Sequence, residues 1–101
     1  MMNYFVSYDI SSDRLRNRAA KTLLRLGCRR VQKSVFFAAD YTPKELARLK
    51  DELHRLLYDH SEPTDSVLCI PVPRNHLPEV VWIGENEAYH QALQKEYSWL
   101  A

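Results

Sequence analysis

Over residues 3–8, Tyr4, Val6 and Tyr8 alternate with Phe5 and Ser7, and both sets are largely apolar. A strand with two apolar faces is one covered on both sides, so the pattern predicts a central strand ending at Asp9-Ile10. Ser11, Ser12 and Asp13 then offer oxygens that can cap a helix. Leu15, Ala19, Leu23 and Leu26 recur at helical spacing until Gly27 closes the element. Residues 29–32, with Val31, and 34–39, with Val35, Phe36, Phe37, Ala38 and Ala39, predict two short strands parted near Lys33-Ser34, the second ending at Asp40-Tyr41.

Thr42-Pro43-Lys44-Glu45 is a capping box with Pro at the first helical position, and Leu46, Leu49, Leu53, Leu56 and Leu57 follow on one face. A turn at Ser61-Glu62-Pro63-Thr64 leads into a strand from Asp65 to Pro73, which Pro71 and Pro73 confine to an edge or an irregular exit. Strand, helix, strand, strand, helix, strand is the split βαβ order of an α+β, ferredoxin-like βαββαβ sandwich. One more strand is expected at Val80-Val81-Trp82-Ile83, which would complete a domain over residues 1–84. In residues 85–101, Tyr89, Ala92, Leu93, Tyr97 and Leu100 recur at helical spacing, so this tail is expected to dock on a dimer or a partner.

A chain of 101 residues holds one core, and 46% hydrophobic residues with only 2 Gly exclude a disordered or fibrous chain. The first residues carry no basic leader or small-residue cleavage site, and the apolar run is too short to span a bilayer, so a cytoplasmic protein with no membrane partner is expected. Cys28 and Cys69 lack the paired spacing of metal or redox sites and read as buried thiols. His54, His60, His76 and His90 show no ligand spacing and are assigned to the surface.

The net charge of +1 conceals a polarity: of the 14 Lys and Arg, eight lie between Arg14 and Lys33, and no acid lies between Asp13 and Asp40. At about 100° per residue, Arg14, Arg18, Lys21 and Arg25 fall within roughly 60° of one another. Such a stripe suits the phosphates of a nucleic acid, whereas an ordinary solvated helix face mixes its signs.

Asp9 ends an otherwise apolar strand, where a carboxylate must be solvated, paired or bound to a cation. It can cap a helix, pair with a nearby Arg, or ligate Mg²⁺ or Mn²⁺, hard cations that need few protein carboxylates when phosphate and water fill the other positions. Only Asp13 lies near it in sequence, so a two-fold axis joining two copies of Asp9 would supply the second carboxylate. Arg16 falls on the inner half of its helix, and either snorkels or pairs with Asp9 or a phosphate beside it. Arg30, Gln32 and Ser34 alternate onto one face that can hold phosphate or ribose, and Phe36 on the same side either stacks on a base or fills the core.

Three ordered motifs, Tyr8-Asp9-Ile10, Leu15-Arg16-Asn17-Arg18 and Arg30-Val31-Gln32-Lys33-Ser34-Val35-Phe36, precede the capped helix and short strand. In that order they resemble the small CRISPR-associated spacer-acquisition family, the non-integrase member of the universal adaptation pair. The resemblance covers roughly residues 3–84. It implies a ferredoxin-like homodimer, related in fold to certain toxin ribonucleases, that bridges integrase subunits and holds a protospacer DNA duplex. It also implies a metal-dependent endonuclease on single-stranded RNA or DNA. By position, Asp9 would be the metal-binding carboxylate, with Tyr8, Arg16 and Arg30 beside it in catalysis. Arg14, Arg18, Lys21, Arg25, Arg30, Lys33, Ser34 and Phe36 would contact nucleic acid. Many members carry an acid directly after the Val-Phe pair, where this chain has Phe37.

The second function class is an assembly module in which Asp9 is structural and the strand from Asp65 or the tail binds the partner. A ligand-sensing regulatory domain of the same fold would leave the acid-free basic run unexplained.

Overall fold

The computed structural model describes residues 1–60, 62–84, 87, 90 and 91. In chain order it comprises β1 (Met2–Asp9), α1 (Asp13–Arg25), β2 (Arg29–Gln32), β3 (Val35–Tyr41), α2 (Pro43–His60) and β4 (Ser66–Val72), followed by a 3-10 helix at Arg74–Glu79. The strands form one antiparallel sheet in the order β2-β3-β1-β4. This is the α+β, ferredoxin-like split βαβ expected from the sequence, with the doubly apolar β1 inside and the proline-bearing β4 at an edge.

Both helices cover the face that carries Val6, Tyr8 and Phe36, and they bury Leu15, Ala19, Leu23, Leu49, Leu53 and Leu56 against it. A smaller cluster occupies the opposite face, where Phe5 and Phe37 meet with ring centroids 5.3 Å apart beside Val31 and Leu77. Val80 and Trp82 pack on this second cluster while Val81 and Ile83 are exposed. The predicted alternation over residues 80–83 is therefore present, but the predicted strand is not. The four-strand sheet is made of β2, β3, β1 and β4 and does not include this segment. The expected tail helix, with Tyr89, Ala92, Leu93, Tyr97 and Leu100, lies outside the described residues.

Local chemistry sets the ends of the elements that frame the site. Ser12 Oγ accepts from the Leu15 N–H at 3.2 Å and starts α1. At its other end the Gly27 N–H donates to Leu24 and the Cys28 N–H to Leu23, a Schellman pair made possible by Gly27 at φ +90. Thr42 and Glu45 exchange backbone-to-side-chain bonds of 2.9 and 3.1 Å, closing the predicted capping box of α2. β3 runs to Tyr41, within the end expected at Asp40-Tyr41, and Asp40 has φ +51. There the Asp40 N–H donates to the side-chain oxygen of buried Asn3 at 2.9 Å.

Candidate functional site

The turn between β2 and β3 is built around one carbonyl. The Lys33 oxygen accepts from Arg30 Nε at 3.1 Å, from Arg30 Nη2 at 2.8 Å and from the Tyr8 hydroxyl at 3.1 Å. Arg30 Nη2 also donates to the Tyr8 hydroxyl at 3.2 Å, and the guanidinium lies 5.2 Å from the centroid of the Phe36 ring. Ser34 joins the same frame, since its carbonyl accepts from the Tyr8 N–H at 3.0 Å. Arg30 Nη1 has no hydrogen-bond partner among the described residues and remains available to an anion.

This network forms one wall of an open groove of about 790 Å³, lined by Tyr8, Arg16, Asn17, Arg30, Lys33 and Ser34 together with Val31 and Gln32. Residues from three separated sequence motifs thus meet at one surface, three of them cationic. Asp9 does not line the groove.

Arg16 is where the structure departs from its expected pairing. Its Nη1 donates to the carbonyls of Ile10 at 2.8 Å and Ser11 at 3.0 Å, and its Nη2 pairs with the Asp13 carboxylate. The inner half of α1 is the expected place for Arg16, but the expected partner Asp9 does not meet it. Two carbonyls of the β1–α1 loop and a carboxylate three residues away lie closer and satisfy the same need.

Asp9 is exposed and ends β1 opposite Ser66 of β4. Strand alternation puts it on the face of Phe5 and Ser7, away from the helices. Across the ladder that face carries Leu68 and Ile70, which are 59% and 44% exposed. No hydrogen bond or ion pair engages the Asp9 carboxylate among the described residues. Those residues also contain no group of three or more His, Cys, Asp and Glu side chains that could enclose a metal. The Asp9 carboxylate is therefore a hard oxygen donor that belongs to no such group. That donor fits a divalent cation only if water, phosphate or another carboxylate completes the shell.

Along α1, Arg14, Arg18 and Lys21 are exposed, and Arg14 and Arg18 flank a shallow depression with Ser12. Arg25 differs, because its Nη2 is bound to Glu52 Oε2 of α2 at 2.8 Å, and that bond holds the Glu52 carboxyl below its ordinary range. The basic stripe thus has three unpaired members and one paired member among the described residues. Lys33 is exposed at the turn. Phe36, expected in the nucleic-acid contact set, is 0% exposed and belongs to the core, so its ring stacks on no base in this state. Phe37 is sealed in the outer cluster by Phe5.

Asp65 has a role that the sequence does not announce, since there it reads only as the start of a strand. Its Oδ1 accepts from the Ser11 N–H at 3.0 Å and the Ser11 hydroxyl at 2.9 Å, while Oδ2 accepts from the Glu62 N–H at 2.9 Å. An Asp closing a proline turn is a signal for local hydrogen bonding. Its partner 54 residues away is not legible.

The family model described as CRISPR associated protein Cas2 matches residues 2–80. A protein of Aeropyrum pernix, named CRISPR-associated endoribonuclease Cas2, is 32% identical over 85 residues, covering 83% of this chain and 87% of its own length. The crystal structure of Streptococcus pyogenes Cas2 superposes with a TM-score of 0.66 at 31% identity, over 82% of this chain and all of its own. A hypothetical protein of Thermus thermophilus superposes at 0.69 with 30% identity, over 84% of this chain and 93% of its own. Motif order, sheet order and these likenesses agree, and the chain belongs to the CRISPR-associated Cas2 family.

Proposed function

We propose that this chain acts in CRISPR adaptation as a homodimer that binds nucleic acid and cleaves single-stranded RNA, or DNA, with Mg²⁺ or Mn²⁺ held by Asp9 of both copies. The observation that carries the reading is the position of Asp9, exposed on the sheet face away from α1 and α2, which also exposes Leu68 and Ile70. A second copy covering that apolar face about a two-fold axis would bring the two carboxylates toward each other.

In this reading Arg14, Arg18 and Lys21 hold phosphates and set the salt dependence of binding. The Tyr8–Arg30–Lys33 network keeps the groove wall fixed, and Arg30 Nη1 donates to a phosphate oxygen. Arg16 braces the loop after Asp9, its charge paired with Asp13. A bound divalent cation supplies Lewis acidity to a phosphodiester and lowers the pKa of water.

The test compares wild type with Asp9→Asn for cleavage of single-stranded RNA and duplex DNA in Mg²⁺, with sedimentation run in parallel. Loss of cleavage in a variant that remains dimeric supports the reading, whereas equal cleavage or a monomeric wild type overturns it.

A second reading is an assembly module without catalysis, favoured by Phe37 in place of the acid and by β4 at a sheet edge, where an integrase subunit could add a strand. In that case Asp9→Asn would leave integrase binding and spacer acquisition unchanged.

A further inference from the structure

The carboxylate of Asp65 holds two loops that are far apart in sequence. Through Ser11 it grips the β1–α1 loop two residues after Asp9, and through the Glu62 N–H it grips the turn before β4. Ser66, the next residue, is the ladder partner of Asp9, so the clamp lies directly beyond the last rung of the β1–β4 pairing. Arg16 closes the loop from the other side by binding the Ile10 and Ser11 carbonyls. Ser11 is therefore held at its N–H and hydroxyl by an anion and at its carbonyl by a cation. A loop connecting a strand to a helix would otherwise be the freest part of this wall.

We infer that Asp65 is a positioning residue for the Asp9 site, fixing the end of β1 so that the Asp9 carboxylate meets its cation without reordering. The inference rests on the reading of Asp9 as a metal ligand. Its physical basis is that a ligand held by ordered neighbours loses less freedom on binding, and that removing such supports typically lowers metal affinity about 10–100-fold. Asp65 touches neither the metal nor the substrate in this scheme.

The test uses the full chain and Mn²⁺ alone, with free Mn²⁺ read by electron paramagnetic resonance and amide hydrogen exchange read at Ser11. Asp65→Ala should raise the Mn²⁺ dissociation constant about tenfold and speed exchange at Ser11. Asp65→Asn, which retains an oxygen for both Ser11 donors but none for the Glu62 N–H, should fall between wild type and Asp65→Ala. Ser11→Ala, which loses only the hydroxyl contact, should fall between wild type and Asp65→Ala, and it serves if Asp65→Ala does not fold. Asp9→Asn fixes the interpretation. If it abolishes Mn²⁺ binding while Asp65→Ala, or Ser11→Ala in its place, binds as wild type does, the positioning role is wrong and the Asp9 reading stands. If Asp9→Asn binds Mn²⁺ as wild type does, the Asp9 reading itself fails and takes the positioning role with it.

Discussion

Arg30 donates to the Lys33 carbonyl through two of its nitrogens, at 3.1 and 2.8 Å, and so folds back over the turn that carries it. A guanidinium can do this and still reach the Tyr8 hydroxyl because its donors are fixed in a plane. A Lys ammonium would keep the charge but not the fork. Arg30→Lys should therefore lower stability by about 1 kcal/mol while leaving the salt dependence of nucleic-acid binding unchanged. Urea unfolding and a salt titration of RNA binding measure the two effects separately.

The α1 stripe separates free cations from a paired one. Replacing Arg14, Arg18 and Lys21 together by Gln should flatten the dependence of log K on log salt by about 2 to 3 for duplex DNA, at roughly 0.9 for each phosphate left without its cation. Arg25→Gln should barely change that slope, because Glu52 already neutralises the guanidinium. Fluorescence anisotropy across a salt series discriminates the two variants.

Asp65 has a folded-state pKa below its ordinary value, chiefly because the Glu62 and Ser11 N–H groups donate to the ionised carboxylate. A depressed pKa means that its stabilisation is present above the ordinary value of 3.8 and is lost as pH falls through the lower folded value. The gap in urea midpoint between wild type and Asp65→Ala should be largest near neutral pH and should narrow below about pH 4. A gap constant from about pH 7 to about pH 2.5 would mean that the ionised form is not what holds the loops.

The features legible in the sequence are those whose cause is local. The Thr42–Glu45 box and the Gly27 terminus each need only a few consecutive residues, and both form as expected. Alternation expects Phe36 on the side of Arg30 and Gln32, but only a register shift between Arg30 and Gln32 makes Arg30 its ladder partner, and that shift leaves Gln32 opposite Val35. What it cannot reveal is that β3 lies inside the sheet under both helices, which makes that side core. The same limit applies at residues 80–83, where alternation specifies an extended chain with two faces but not the presence of a neighbouring strand. Arg16 and Asp65 show it again for polar groups. Helical geometry says that Arg16 points inward, but its partners depend on how the loop at Ile10 and Ser11 turns. The Ser11–Asp65 bonds arise only once α2 has returned the chain to the end of β1.

Tyr41 provides a test of the core that is independent of the nucleic-acid site. Its hydroxyl donates to the Leu26 carbonyl at 2.6 Å, at the end of α1, and lies 3.3 Å from the Cys28 sulfur. Tyr41 and Cys28 are both buried, and the bond to Leu26 is part-buried. Tyr41→Phe should therefore cost about 1 kcal/mol, the net contribution of one such hydrogen bond. Thermal unfolding would register this as a fall of several degrees, at about 4–8 °C per kcal/mol for a domain of this size. Cys28→Ala should cost less of the polar interaction, since Tyr41 keeps its bond to Leu26. Burial raises the Tyr41 pKa above its ordinary value of 10.0, with the Cys28 hydrogen bond adding to the rise. The stabilisation is therefore complete below about pH 10 and is lost at higher pH, as the unfolded phenol ionises first. The difference between wild type and Tyr41→Phe should shrink in that alkaline range and stay constant between about pH 6 and about pH 9.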